Sequence, residues 1–281
     1  MPKWFRENLH QELQAGIRMD RLIYRGRTDF QSVLIFDNDL MGRVLVLDDV
    51  VQTTARDEFI YHEMLAHVPL FALENPREVL IIGGGDGGCL EEVLKHPVDR
   101  VTMIELDQGV VDLSRQHLGM ICGQAFDDPR TELRIEDGAK FLAETDRCFD
   151  LIIIDSTDPA GPGEVLFSPE FYGNCRRCLQ PTGILVTQNG VPFIQKKEFI
   201  SSATAFAALY QYPRFYFAAV PMYAGGCLAF GCASQGTDAG AVPLAVLEAR
   251  QKKLPLDLRY YSAAIHLGAF AMPPYVQELM P

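Results

Sequence analysis

The sequence predicts an α/β fold: a parallel-core sheet with helices on both faces, preceded by a small antiparallel β domain and ending in a β-hairpin. Three observations carry this. From Arg77 onward, short apolar strand-like runs alternate with helical segments, the pattern of crossover connections. Before residue 57, strand-like runs follow one another with only turn residues between them. Between these regions, Val79-Leu80-Ile81-Ile82 stops abruptly in Gly83-Gly84-Gly85-Asp86-Gly87-Gly88. An apolar run that ends this way reads as a buried strand feeding a ligand-binding turn, where missing β-carbons let a ligand reach the backbone and a helix start offers free N–H groups. We place the domain boundary between residues 1–56 and 57–281.

Taken in order, the β domain shows strands at Leu22-Ile23-Tyr24, Ser32-Val33-Leu34-Ile35-Phe36 and Arg43-Val44-Leu45-Val46-Leu47, with Asp37-Asn38-Asp39 as a turn. Gln52 interrupts the apolar run that follows, as a strand edge would allow. Residues 58–67 have helical spacing of Phe59, His62, Met64 and Leu65, and Pro69 is expected to close that helix. Strands are then expected at 78–83, 100–106, 131–136, 149–155 and 183–188, with helices at 87–95, 108–118, 139–144, 168–179 and 196–210. Phe215 to Ala233 is uncharged over 19 residues, long enough for a membrane span. Pro221, Gly225, Gly226 and Gly231 break a spanning helix, so two strands joined by a Gly-Gly turn are expected instead. The aromatic tail from Arg259 to Pro281 is expected to pack back on the domain.

Composition narrows the function. With 281 residues, 48% of them hydrophobic, the chain can bury a large core. Thirty-seven acidic against 25 basic residues give a net charge of −12, which argues against a nucleic-acid backbone and for cationic or neutral ligands. Seven scattered cysteines are no disulfide framework, and the charged start Met1-Pro-Lys-Trp-Phe-Arg-Glu is no signal peptide; the expected setting is a reducing cytoplasm, away from membranes.

In open parallel sheets, ligands bind beyond the carboxyl ends of the strands. Each of the first four expected strands ends in acid: Asp86, Glu105, the pair Glu136 and Asp137, then Asp155 followed by Asp158. Glu105 lies 22 residues after Gly83, the spacing at which a carboxylate accepts both ribose hydroxyls of a nucleoside; capping the next helix is its other role, which Asp107 could fill. Asp137-Gly138 suits either an adenine amino group or a plain turn.

Gly83-x-Gly85-x-x-Gly88 also fits a dinucleotide fingerprint. A pyrophosphate there would lie beside Asp86, and like charges about 4 Å apart repel by roughly 4 kcal/mol at an effective dielectric of 20. A phosphate-free, cationic ligand such as an adenosyl sulfonium fits better. The stretch 155–164, rich in Pro and Gly, reads as a lid, with a divalent-metal site as the other reading of Asp155 and Asp158. Cys175 and Cys178 fall within an expected helix and read as core thiols, with redox or zinc chemistry the alternative.

Three segments together are specific: the glycine loop with Asp86, Val51-Gln52-Thr53-Thr54-Ala55-Arg56-Asp57-Glu58-Phe59-Ile60-Tyr61-His62-Glu63-Met64, and Asp155-Ser156-Thr157-Asp158-Pro159-Ala160-Gly161-Pro162. They resemble the polyamine aminopropyltransferases, in their bacterial spermidine synthase form. The likeness extends to Pro221-Met222-Tyr223-Ala224-Gly225-Gly226 and to the tail.

It implies a Rossmann-like, methyltransferase-type domain and transfer of an aminopropyl group from decarboxylated S-adenosylmethionine, a cosubstrate, to putrescine, with no metal and no prosthetic group. It further implies that Gln31, Gln52, Gly83, Glu105, Asp137, Gly138 and Pro162 hold the adenosyl moiety and that Asp86 meets the aminopropyl end. Tyr61, His62, Ser156, Thr157, Asp158 and Tyr223 would line the diamine channel, Asp155 would be the base, and the protein would form a dimer or tetramer. Met222 stands where many relatives carry Thr and His62 where animal relatives carry Gln, so cadaverine, agmatine or a longer polyamine stay open as acceptors. A methyltransferase using S-adenosylmethionine itself and a non-catalytic module that stores or senses polyamines are the remaining alternatives.

Overall fold

The computed structural model describes residues 3–7, 9, 12–157 and 165–281. Its N-terminal part is antiparallel throughout. Strand β1 (Lys3–Arg6) pairs with β2 (Gly16–Met19), while β3 (Arg21–Arg27), β4 (Ser32–Asn38), β5 (Gly42–Leu47) and β6 (Val50–Thr54) form a four-stranded meander. Alternation gives this sheet two apolar faces. Leu34, Phe36, Val44 and Val46 pack with Phe5 and Ile17 of the small sheet, and Val33, Ile35, Leu45 and Leu47 pack on Val110, Leu118 and Ile121 of the following domain. The sequence reading anticipated β3, β4 and β5; β1 and β2 escaped it because four-residue runs mixed with charge carry little periodic signal.

Helix α1 (Glu58–Ala72) crosses to the second domain. Pro69 lies inside it and does not end it, contrary to expectation. A mid-helix proline costs about 3 kcal/mol in isolation, but every residue from Ile60 to Ala72 is buried, and that packing holds the helix through the missing hydrogen bond.

The second domain follows the expected alternation: β7 (Glu78–Gly83), α2 (Gly88–Leu94), β8 (Arg100–Glu105), α3 (Gln108–His117), α4 (Gly119–Cys122), β9 (Thr131–Ile135), α5 (Gly138–Glu144) and β10 (Phe149–Asp155). After the 158–164 stretch come α6 (Pro169–Arg177), β11 (Leu179–Gln188), α7 (Lys196–Leu209), β12 (Tyr212–Ala218) and β13 (Leu228–Ser234). The tail adds α8 (Leu244–Lys253), α9 (Ala263–Ala269) and α10 (Pro274–Gln277).

One seven-stranded sheet holds them in the order β12-β13-β11-β10-β7-β8-β9, with β7 to β11 parallel and the hairpin strands antiparallel. Its central strands β7, β8 and β10 are buried on both faces, hence their continuous apolar runs. Val79, Ile81, Leu151 and Ile153 face α1, α2 and the tail; Leu80, Ile82, Ile152 and Ile154 face α5, α6 and α7. The uncharged 215–233 segment is the hairpin, although its strands are joined by the longer loop 219–227 and not by a tight Gly-Gly turn. Among the described residues no helix is long and apolar enough to cross a membrane. Cys175 and Cys178 are buried free thiols at the C-terminal end of α6, not in its middle.

One carboxylate of α1 gathers three backbone donors of the returning tail. Buried Glu63 accepts the backbone N–H groups of Arg259, Tyr260 and Tyr261 at 2.7–2.8 Å. An unpaired buried donor costs about 1–3 kcal/mol, so Glu63→Ala is expected to lower unfolding free energy by roughly 3–5 kcal/mol, and Glu63→Gln by less. Denaturant titration checks this; an Ala variant within 1 kcal/mol or so of the parent would show that the tail is held by other contacts.

Candidate functional site

Strand order reverses between β7 and β10, since the chain builds outward through β8 and β9 and then returns to the other side of β7. At that switch point Asp155 and Gly83 are register partners, and the Gly84 N–H donates to the Asp155 carbonyl at 2.7 Å. Gly83 has φ +83°, and a β-carbon there would lie 2.1 Å from the Asp155 carbonyl oxygen. Only glycine lets the two strand ends approach so closely.

A cavity of about 530 Å³ opens beyond these strand ends. Of the residues expected in the site, Gln31, Gln52, Tyr61, Gly83, Asp86, Glu105, Asp137, Gly138, Asp155, Ser156, Thr157 and Tyr223 line it. Asp158 and Pro162 lie outside the described residues. Glu136 is not on the wall and pairs with Arg134. His62 is not on the wall either: it is about 1% exposed, behind Asp86. The resemblance put its side chain in the amine channel, but the glycine loop turns so tightly over α1 that the ring is covered. A β-carbon on Gly88 would come within 2.2 Å of it.

Each carboxylate on the wall has a distinct setting. Asp86 Oδ1 accepts the Gly88 N–H at 2.9 Å, so a carboxylate already occupies the start of α2 where a pyrophosphate would sit. Glu105 Oε1 accepts the Asp107 N–H at 2.9 Å, while Oε2 lies under Gly85. Burial pushes the Glu105 carboxyl up to about 7, against the opposing pull of two backbone N–H groups. The capping role falls to Asp107, which accepts from Gly109 N and also holds Thr28 and Gln31 of the β domain. Asp137 caps α5 through Oδ1, and Gly138 lies against Ile82, so both have structural duties besides facing the cavity.

Asp155 is the most exceptional. Its Oδ1 accepts the Tyr61 hydroxyl at 2.7 Å, and its buried Oδ2 has no hydrogen-bond partner among the described residues. Burial first, and then the charge of Asp86, raise its carboxyl to about 6; His62 and Tyr61 oppose that rise. Tyr61 stacks edge-on against Tyr223, 5.9 Å between ring centres, and the Tyr223 hydroxyl donates to the Gln52 carbonyl at 2.6 Å. The hairpin loop is fixed there by Asp57, which accepts the Met222 N–H at 2.8 Å.

Sequence reasoning missed Glu7, Phe30, Asp107, Gln188 and Gln195 on the wall. Gln188-Asn189, ending the apolar strand β11, carried a usable signal. Glu7 did not; its carboxylate reaches the site through long-range pairing, accepting the Val51 N–H at 2.9 Å.

Chemically, the cavity wall carries the carboxylates of Asp86, Glu105, Asp137 and Asp155 together with the rings of Tyr61 and Tyr223. The model of the spermine/spermidine synthase domain matches residues 58–240, and that of the spermidine synthase tetramerisation domain matches residues 3–55. The polyamine aminopropyltransferase of Ruegeria sp. (strain TM1040) is 51% identical over 279 residues, covering 99% of this chain and 98% of the relative. Polyamine aminopropyltransferase 1 of Pseudomonas aeruginosa is 51% identical over 275 residues, covering 98% and 96%. A crystal structure of spermidine synthase in complex with the transition-state analogue AdoDATO superposes with a TM-score of 0.94 at 37% identity, over 100% of this chain and 96% of that one. Spermidine synthase from Thermotoga maritima gives a TM-score of 0.91 at 35% identity, covering 100% and 95%.

Proposed function

The chain belongs to the polyamine aminopropyltransferase family, spermidine synthases included, and on that premise we propose that it moves the aminopropyl group of decarboxylated S-adenosylmethionine to putrescine, yielding spermidine and methylthioadenosine. The observation that carries the reading is the buried Asp155 Oδ2, without a hydrogen-bond partner among the described residues, which shares with Asp86 the wall of the cavity of about 530 Å³.

The donor bears sulfonium and ammonium charges and no carboxylate. Asp86 attracts its aminopropyl end and repels the carboxylate of the parent S-adenosylmethionine, which disfavours methyl transfer. Glu105 accepts the ribose hydroxyls, and Asp137 with Gly138, Gln31, Gln52, Gly83 and Pro162 frames the adenosyl group. A diamine is protonated in water, with a pKa of about 10 by analogy with lysine. Only the neutral amine attacks. Asp155 Oδ2 takes the proton as the nitrogen forms its bond to the carbon on sulfur; that carbon–sulfur bond breaks and its electron pair stays on a neutral thioether. Tyr61 holds the accepting carboxylate in line, while Ser156, Thr157, Asp158 and Tyr223 complete the amine channel.

The tetramerisation-domain match supports a homo-oligomer, and seven free thiols support a reducing, cytoplasmic setting. Incubating the protein with the decarboxylated donor and a panel of putrescine, cadaverine, agmatine and spermidine should release methylthioadenosine fastest with putrescine. Faster release with another amine would move the acceptor, and release with none would end the reading.

A further inference from the structure

His62 sits between two acids. Its Nδ1 is 2.8 Å from Glu58 Oε2, one turn earlier on α1, and its Nε2 is 3.5 Å from Asp86 Oδ2 in the glycine loop. A neutral imidazole has one N–H and would turn a lone pair on one of the two carboxylates; the imidazolium presents an N–H to each, as a hydrogen bond to Glu58 and at ion-pair distance from Asp86. The ring is closed in by Gly88 above and by the Tyr61 ring edge-on, 5.2 Å between centres. Asp86 is thereby met at both oxygens, by a hydrogen bond from the Gly88 N–H to Oδ1 and by His62 Nε2 at ion-pair distance from Oδ2.

We infer that His62 is a positioning residue for the transfer: a buried imidazolium, clamped by Glu58 and Asp86, that aims Asp86 at the donor and offsets one negative charge beside Asp155. This rests on the aminopropyl-transfer reading above and adds a role that a wall-lining ligand would not have.

The arrangement answers a difficulty in that site. Reacting Asp155 must be ionised to accept a proton, yet it is buried next to the like charge of Asp86. A fixed positive charge behind Asp86 relieves this without filling the cavity. One ring nitrogen of His62, one oxygen of Asp86 and one of Asp155 lie within 4.8 Å of one another, so the charge acts at short range. The groups facing the array are Glu58 and Tyr61 from α1, Asp86 from the loop, Cys89 from α2 and Asp155 from β10, with Glu91 near Glu58 and Glu105 near Asp155. His62 is the cation among them. Burial opposes its charge, and Asp86 and Glu58 override that, so its pKa stands well above the usual value.

Two measurements on the full chain test this. In the first, NMR of isotopically labelled imidazole groups should show His62 still charged at about pH 8, where an ordinary histidine with a pKa of about 6.5 has lost its proton. A neutral-tautomer signature at pH 7.5 or so overturns the inference. In the second, His62→Gln keeps a hydrogen-bonding side chain and loses the charge. With saturating donor and amine, the acid limb of its kcat profile should move up by about one pH unit, the least that an opposite charge at this range contributes. A slower variant with an unmoved limb would reduce His62 to packing. If the variant does not fold, the NMR titration still decides. If the wild type releases no methylthioadenosine with any amine, the transferase reading fails while the charge state of His62 is still measured.

Discussion

Asp155→Asn is expected to lose about 10²- to 10⁴-fold in turnover, the range that a positioned general base contributes, while the decarboxylated donor still binds within a few-fold. The amide is nearly isosteric: its oxygen can accept the Tyr61 hydroxyl as Oδ1 does at 2.7 Å, so the local structure survives. What disappears is the lone pair at Oδ2, the atom with no partner among the described residues. In the parent, kcat should fall as pH drops through about 6, because the carboxylate is active and the carboxyl is not, and burial beside Asp86 has lifted the group that far. In the Asn variant that limb should vanish along with most of the rate. Single-turnover release of methylthioadenosine across pH 5–9, together with donor binding by calorimetry, separates the two quantities. Turnover within tenfold or so of the parent would place the base on another residue.

The second large effect is expected from a single methyl group. In Gly83→Ala the new β-carbon would lie 2.1 Å from the Asp155 carbonyl oxygen, at a backbone angle of φ +83°. The left-handed angle costs roughly 1–2 kcal/mol for a non-glycine residue, and the overlap must be relieved by parting β7 from β10. We expect a stability loss of about 3–5 kcal/mol. The folded fraction should also be slow, since a shift of about 1 Å in a reacting group can cost 100-fold or so. Gly119→Ala is the control: nothing lies within 4 Å of its added carbon, and a helical alanine should be neutral or mildly stabilising. Melting curves and specific activity of the two variants check both halves. If Gly83→Ala melts with the parent, the strand ends are not as tightly paired as their register indicates.

Much of this architecture was legible in the chain because burial on both faces leaves a plain mark. Val79 to Ile82 and Leu151 to Ile154 are uninterrupted apolar runs since both of their faces are covered, and each ends in the residue types that a strand end at a ligand site requires. Pro69 was misread because propensity describes an isolated helix, whereas α1 is buried on all sides. The strands β1 and β2 were missed because their stability comes from packing on the meander. The tail was expected to return from its aromatic content alone; that it returns onto Glu63 was not readable.

In the site the division is similar. The acidic strand ends, the glycine loop, and the misfit of Asp86 with a phosphate ligand all follow from residue type and spacing. These are local properties, and a sequence records them. Tertiary structure decided which carboxylates keep a free oxygen. Glu105 and Asp107 were equivalent candidates for one capping role until the fold gave it to Asp107, and Glu136 left the rim by pairing with Arg134. It also moved His62 from the wall to a place behind Asp86, between acids that are four residues away in one direction and far along the chain in the other. Charge and hydrogen-bond capacity are written in the sequence, but which partner uses them depends on distances of a few ångströms between segments remote along the chain, and only the packed structure sets those distances.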